Sequence, residues 1–203
     1  MKTIDIQKKL GSGLILESAF GTENHTYANI LKIRIGNDPR FEVDAYSHHY
    51  LLRNDTEAIG AMTITRNVDG PIDCRSLYPE SLFREFGTKL ISTCKFRVTK
   101  GAHNGIATLR SMIREVWLHQ TRDGMRLDLI NSTLENVRFY NRIGYTSIKS
   151  SEFRHPKLGT ESIAMFMATD PSVRSFIQKQ CAGLSNPLRL STVQRVVNAP
   201  SNN

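Results

Sequence analysis

Between residues 106 and 120, apolar side chains fall at Ile106, Leu109, Met112, Ile113, Val116 and Trp117. This recurrence every three or four positions predicts one stripe of an amphipathic helix, which Asp123-Gly124 then ends. The segment before it, residues 91–98, places Ser92, Cys94, Phe96 and Val98 on one face and predicts a strand. Upstream, residues 47–53 and 57–66 read as a hairpin turning at Arg53-Asn54-Asp55-Thr56. Residues 79–90 hold a short helix with Pro79 near its start. Downstream come a strand at 125–130, a short helix at 134–142, strands at 145–149 and 162–168, and a last helix from Pro171 to about residue 180. The apolar run 27–35 is too short to separate a helix end from a strand, and residues 1–26 carry no clear period. The order predicts a mixed α/β sheet with helices on both faces.

A chain of 203 residues supports one substantial core. The expected division is one domain over 1–182 and a flexible tail over 183–203, where Pro187, Pro200 and several asparagines gather. No run approaches the roughly 18 consecutive apolar residues of a membrane span, so stable membrane insertion is not expected. The N-terminus lacks the apolar core of a secretory signal, and the expected location is cytoplasmic. Cys74, Cys94 and Cys181 are odd in number and widely spaced, which fits neither a disulfide framework nor a zinc site, and Cys94 reads as a buried thiol. The histidines form no short ligand pair: His48 and His49, adjacent on a strand, point to opposite faces, so no metal is expected.

The formal net charge of +8 favours anionic partners. It concentrates between Lys95 and Arg126, where Lys95, Arg97, Lys100, Arg110, Arg114, Arg122 and Arg126 stand against only Glu115 and Asp123. The same stretch contains the loop Lys100-Gly-Ala-His-Asn-Gly105-Ile-Ala107, which joins the strand to the helix. Free backbone N–H groups and a partial positive charge make a helix N-terminus receptive to phosphate, and small residues let an anion approach. The spacing is neither a P-loop nor a dinucleotide fingerprint.

A second motif, Asn136-Val-Arg-Phe139-Tyr140-Asn-Arg-Ile-Gly144-Tyr145, lies one strand further on. Together the two segments resemble the GNAT acyltransferase superfamily, whose loop runs Gln/Arg-x-x-Gly-x-Gly/Ala and whose later motif is Asn-x-x-Ala-x-x-Phe-Tyr-x-x-x-Gly-Phe/Tyr. Gly105 and Ala107 match the loop, with Ala102 in place of Gln or Arg; Phe139, Tyr140, Gly144 and Tyr145 match the later motif. Upstream, the 41–52 segment with Glu42, Asp44, Ser47, His48 and His49, followed by Gly60-x-x-Thr63-Ile64-x-Arg66, is similar to the branch holding the acyl-homoserine-lactone synthases and the N-acyl amino acid synthases. Ser92-Thr-Cys94-Lys95-Phe96 stands where the lactone synthases have Glu-x-Ser-Arg-Phe. Serine for glutamate, lysine for arginine, and Ser47 for a further acidic residue point away from lactone synthesis and toward the N-acyl amino acid branch.

The resemblance implies a mixed, mostly antiparallel central sheet flanked by helices, and transfer of an acyl group from a thioester to an amine. It implies no permanently bound cofactor, since acyl-CoA or acyl-phosphopantetheine is the donor substrate. It places the donor on Phe96, Arg97, Val98, Lys100, Gly105, Ile106 and Ala107. Tyr140 stands where a tyrosine protonates the leaving sulfur; Glu42, Asp44, His48 and His49 are candidate bases, with Glu85 a further one that reads better as an exposed helix residue; and His49 and Arg66 are candidate acceptor contacts. A structural role for either histidine, and pairing of Glu42 or Asp44 with Arg66, are competing readings. The expected partners are an acidic acyl carrier protein, docking on the basic 95–126 stretch, and a small-molecule amine. The alternatives are an acetyl-CoA-dependent N-acetyltransferase and a degenerate fold kept as a binding module. A nucleic-acid-binding role has no helix-turn-helix, zinc or RNA-binding signature behind it, and no nucleic-acid partner is expected.

Overall fold

The computed structural model describes residues 4–10, 13–33, 42–55, 57–99 and 105–199. In chain order the elements are β1 (Ile4–Lys9), β2 (Ile15–Phe20), α1 (His25–Ile33), β3 (Ser47–Arg53), β4 (Ala58–Arg66), α2 (Glu80–Phe86), β5 (Leu90–Val98), α3 (Gly105–Arg122), β6 (Leu127–Thr133), α4 (Val137–Ile143), β7 (Thr146–Arg154), β8 (Glu161–Ala168) and α5 (Leu190–Val197). The strands form an eight-stranded sheet ordered β1-β2-β3-β4-β5-β6-β8-β7. Its ladders β1–β2, β2–β3, β3–β4, β6–β8 and β7–β8 are antiparallel, while β5–β6 is parallel. The mixed, mostly antiparallel sheet expected from the sequence is therefore present. Among the described residues, no helix is long and apolar enough to cross a membrane.

The chain forms two compact units. The first is Met1–Pro71 with Thr93–Val116, and the second is Ile72–Ser92 with Trp117–Asn203. In the first unit the expected hairpin is β3 and β4, paired His49 to Thr63 and Leu51 to Ala61. Tyr50, Leu51 and Leu52 are all buried, so β3 is covered on both faces and its apolar residues run on instead of alternating. Gly60 suits a close approach: a Cβ there would lie 3.2 Å from the Arg97 carbonyl oxygen and 3.3 Å from Met112 Sδ, so those neighbours would have to give way.

Two features of this unit differ from the sequence reading. The unpatterned lead-in supplies β1 and β2. Strand β2 hides its period because Glu17 and Ser18 are buried along with Ile15 and Leu16. Burial of Glu17 is supported by Arg53, whose Nε lies 2.8 Å from its carboxylate. Of the ambiguous 27–35 segment, residues 27–33 belong to helix α1, which runs from His25 to Ile33, and residues 34 and 35 lie outside the described residues. The Asn24 side-chain oxygen caps it by accepting the Tyr27 N–H at 2.7 Å.

In the second unit, Leu82, Phe86, Leu127, Phe166 and Val193 belong to one core that draws on α2, β6, β8 and α5. Each such side chain contributes about 1.5–3 kcal/mol on burial. Helix α5 corrects the expected flexible tail: residues 190–197 are helical, with Val193 and Val196 buried. The cause is a long-range cap. Asp170 Oδ2 accepts the Leu190 N–H at 2.8 Å, and Asp170 Oδ1 meets Arg189 Nη1 at 3.1 Å. The helix expected from Pro171 is absent as well. Asp170 takes the Ser172 N–H and hydroxyl in a tight turn, and only Gln178–Cys181 forms a short 3-10 helix.

Candidate active site

Three elements of the first unit, α1, β3 and β5, send a side chain to Asp44. It lies in the 3-10 helix Glu42–Tyr46 that leads into β3 and is 1% exposed. Its Oδ1 is 2.5 Å from Lys95 Nζ on β5, and its Oδ2 accepts the Tyr27 hydroxyl of α1 at 2.8 Å. The Lys95 side chain is only 3% exposed, so this is a buried ion pair. Lys95 reaches inward from a left-handed backbone, φ 53°, in the middle of a strand. A non-glycine residue there stores about 1–2 kcal/mol of strain, the kind of cost that surrounding contacts must hold in place.

His49 is fully buried beside this pair, its ring 4.5 Å from that of Tyr27. Its Nε2 is 2.9 Å from the Asp44 carbonyl oxygen and its Nδ1 is 3.0 Å from Thr63 Oγ1. A carbonyl only accepts, so Nε2 carries the proton and Nδ1 accepts from Thr63. Both ring nitrogens are thus engaged, which favours the structural reading of His49. Ser47, the residue replacing a further acid, donates to the Val43 carbonyl and accepts from Thr65 Oγ1, both at 2.6 Å. His48 points elsewhere, to Asp69 Oδ2 at 3.2 Å.

The other expected residues are dispersed. Glu42 is exposed and lines an open cleft of about 480 Å³ with Thr22, Glu23, Tyr27 and Leu31. Arg66 ends β4 and is half-buried. Phe96 and Val98 are half-buried on β5, and Arg97 is exposed. Gly105 and Ile106 open α3, followed by exposed Ala107. Lys100, like Ala102 and His103 of the loop, lies outside the described residues. On α3, Arg110 is exposed, but Arg114 bonds Glu115 at 2.9 Å and is not wholly available to a partner. Cys94 is half-buried, not the buried thiol expected.

In the second unit Tyr140 is half-buried on α4. Its carbonyl closes the helix by accepting the N–H groups of Gly144 and Tyr145, each at 3.1 Å. Gly144 has φ 127°, a conformation glycine supplies without cost. The Tyr140 ring meets Phe139 at 5.1 Å and Tyr145 at 5.5 Å, both edge-on.

Solved structures that share this arrangement of strands and helices include acyltransferases. FeeM, an N-acyl amino acid synthase from uncultured soil microbes, superposes with a TM-score of 0.57 at 15% identity, over 70% of this chain and 82% of its own. The AHL synthase LasI gives 0.57 at 16% identity, over 79% and 92%. A Lactobacillus plantarum protein assigned as an N-acetyltransferase gives 0.53 at 13% identity, over 75% and 97%. The chain has the GNAT acyltransferase fold. No family model matches the sequence, and no curated protein matches it.

The GNAT resemblance singled out none of the residues in one further cluster. Asp73, Cys74 and His155 bring three ligand-type atoms within 4.8 Å of one another, although the sequence separates Cys74 from His155 by 81 positions. His155 Nδ1 accepts the N–H groups of Lys157 and Leu158, at 3.2 and 3.3 Å, which leaves the ring proton on Nε2. That N–H faces Cys74 Sγ at 3.8 Å and Asp73 Oδ2 at 4.0 Å, while Lys157 Nζ meets Asp73 at 3.3 Å. A metal at Nε2 needs that proton gone and normally a proton on Nδ1. The donor set therefore suits a hydrogen-bonded staple better than a metal centre. Burial, then the Asp73 carboxylate, pushes the Cys74 thiol up to about 11 despite Lys157. Burial holds His155 below the ordinary histidine range, although Asp73 acts the other way.

Proposed function

We propose that this protein is an N-acyltransferase that moves a long acyl group from a carrier-protein or coenzyme A thioester to the amine of an amino acid or similar small molecule. The observation that carries the reading is the Asp44–Lys95 contact. The acidic segment before β3 and the Lys95 position on β5 are two separate points of likeness to the synthase branch, and their charged groups lie 2.5 Å apart. Lysine stands where the lactone synthases have arginine, yet it presents a cation to the acid. The fold is compatible with the reaction, and the fold neighbours named above include an N-acyl amino acid synthase and an AHL synthase.

In this reading the amine nitrogen attacks the thioester carbonyl carbon, the C–N bond forms and the C–S bond breaks. Tyr140 gives its hydroxyl proton to the departing sulfur and regains one from water; that role rests on its motif. Both Asp44 oxygens are engaged, so Asp44 and Lys95 hold the segment in place. Exposed Glu42, in a cleft that also carries Glu23, receives the proton the amine loses. Phe96–Val98 and the start of α3 hold the pantetheine and phosphates, and the motif adds Lys100 to that set. His49 supports the acceptor side from within, and Arg66 takes an acceptor carboxylate. The enzyme works in the cytoplasm.

The test is incubation of the purified protein with C2 to C16 acyl donors, as coenzyme A and as carrier-protein thioesters, and a panel of amino acids. Mass spectrometry should find N-acyl amino acids and free thiol, with C14 carrier protein favoured over acetyl-CoA. Equal or better turnover of acetyl-CoA supports a plain N-acetyltransferase, and absence of any acylated amine with every donor overturns the proposal.

A further inference from the structure

Tyr145 follows Gly144 at the position where the later motif accepts phenylalanine or tyrosine, so the hydroxyl is optional for packing. Here it is used: the Tyr145 hydroxyl donates to Asp128 Oδ2 on β6 at 2.6 Å. Tyr145 is buried and Asp128 is 1% exposed. A charge-assisted bond this short, in so dry a place, fixes the ring. The other buried phenol nearby does not compete for that oxygen. Burial and then Asp128 keep Tyr78 well above the usual tyrosine range, and its proton goes to the Ile130 carbonyl and Asn131 Oδ1, each at 2.8 Å. The fixed edge of Tyr145 in turn meets the Tyr140 ring at 5.5 Å and an interplanar angle of 84°. Tyr140 is held at its other end by the backbone bonds that close α4.

We infer that Asp128 and Tyr145 are positioning residues for Tyr140. Asp128 sits in strand β6, which cannot shift without breaking its ladder with β8, and Tyr145 transmits that fixed point to the helix carrying Tyr140. The choice of tyrosine over phenylalanine at 145 follows from the carboxylate at 128. The consequence for turnover rests on the proposed function, in which Tyr140 supplies the proton; the consequence for the place of the Tyr140 ring does not.

The experiment puts 3-fluorotyrosine at position 140 and reads its ¹⁹F resonance in the full-length protein and in variants, alongside acyl-transfer kinetics. The double variant Tyr145→Phe/Asp128→Leu removes both polar partners together, so neither is left buried facing the other's missing group. It should shift or broaden the resonance and lower kcat about tenfold or more, with KM for the acyl donor nearly unchanged. Asp128→Asn, which keeps an oxygen acceptor, should keep the wild-type resonance, and Tyr145→Phe alone, which should shift it, covers the case of a poorly folded double variant. A resonance in the folded double variant, or in Tyr145→Phe alone, that matches the wild type overturns the inference, whatever the kinetics. A shifted resonance in a protein that acylates no amine upholds the positioning and sinks the proposed function instead.

Discussion

Replacing Lys95 perturbs both a buried charge and a left-handed backbone, and the structure gives a magnitude for each. Removing the ammonium leaves the Asp44 carboxylate, 1% exposed, with the Tyr27 hydroxyl on one oxygen and no cation from β5 on the other. Breaking a buried pair from one side costs about 3–5 kcal/mol. Against a whole-protein stability of about 5–15 kcal/mol, Lys95→Ala should remain folded with a much lower urea midpoint. Glycine in a strand interior is ordinarily about 0.5–1 kcal/mol worse than alanine. At φ 53° that order should reverse, because alanine meets a left-handed penalty of about 1–2 kcal/mol that glycine avoids. Lys95→Gly should therefore be about 0.5–1 kcal/mol more stable than Lys95→Ala. Joint removal, Lys95→Met with Asp44→Leu, should recover most of the loss. Urea titrations followed by circular dichroism and by Trp117 fluorescence measure all three. An alanine variant as stable as the glycine variant, or a single-variant cost under about 1 kcal/mol, would refute the reasoning.

Burial alone would raise the Asp170 carboxyl, but hydrogen bonds from Ser172, Leu190 and Arg189 outweigh it and bring it to about 2, against an ordinary value of 3.8. A lowered carboxyl stabilises the fold above its unfolded value and loses that effect as pH falls through its folded value. About 2 kcal/mol should thus disappear between pH 4 and pH 2, with amide exchange rising first in α5; Asp170→Asn should remove that pH dependence. With its thiol near 11, Cys74 should carry about one part in a thousand thiolate at pH 8, and mass spectrometry after iodoacetamide should find it largely unmodified; rapid labelling would contradict the staple. Gly105→Glu, which adds bulk and negative charge where α3 begins, should abolish coenzyme A binding in calorimetry, and unchanged binding would remove the donor assignment. Reversing Arg110 to Glu should raise KM for an acyl carrier protein more than for the matching acyl-CoA, since Arg110 is exposed whereas Arg114 already serves Glu115.

Where one face of an element is wet, the sequence disclosed it. Helix α3, the β3–β4 hairpin and the order from β5 to β8 follow from periodicity and turn residues. Strand β2 escaped because Glu17 is buried on Arg53, so a polar letter stood at a covered position. Helix α5 escaped because its cap, Asp170, lies 20 residues before Leu190. The active-site candidates divide in the same way. Asp44 and Tyr140 were legible through motif spacing, whereas Tyr27 and Lys95 became members of the Asp44 network only when α1 and a left-handed residue in β5 brought them there. His49 lay in the right segment, but only its two hydrogen bonds reveal that both nitrogens are spent. The Asp73–Cys74–His155 staple had no local signal at all, since its histidine comes from just past the end of β7.

Asp170 also bears on where this protein can be cut. A chain trimmed at residue 182, where the sequence alone invites trimming, would lose α5 and with it Val193 and Val196 from the second unit's core. It would strand a carboxylate, 4% exposed in the intact chain, without the Leu190 amide and Arg189 that help hold it ionised. The shortened protein would expose the apolar wall that α5 covers on α2 and β8 and tend to aggregate. An affinity handle belongs beyond residue 199, and a protease that clips between 182 and 190 would act as an inactivating enzyme rather than a trimming one.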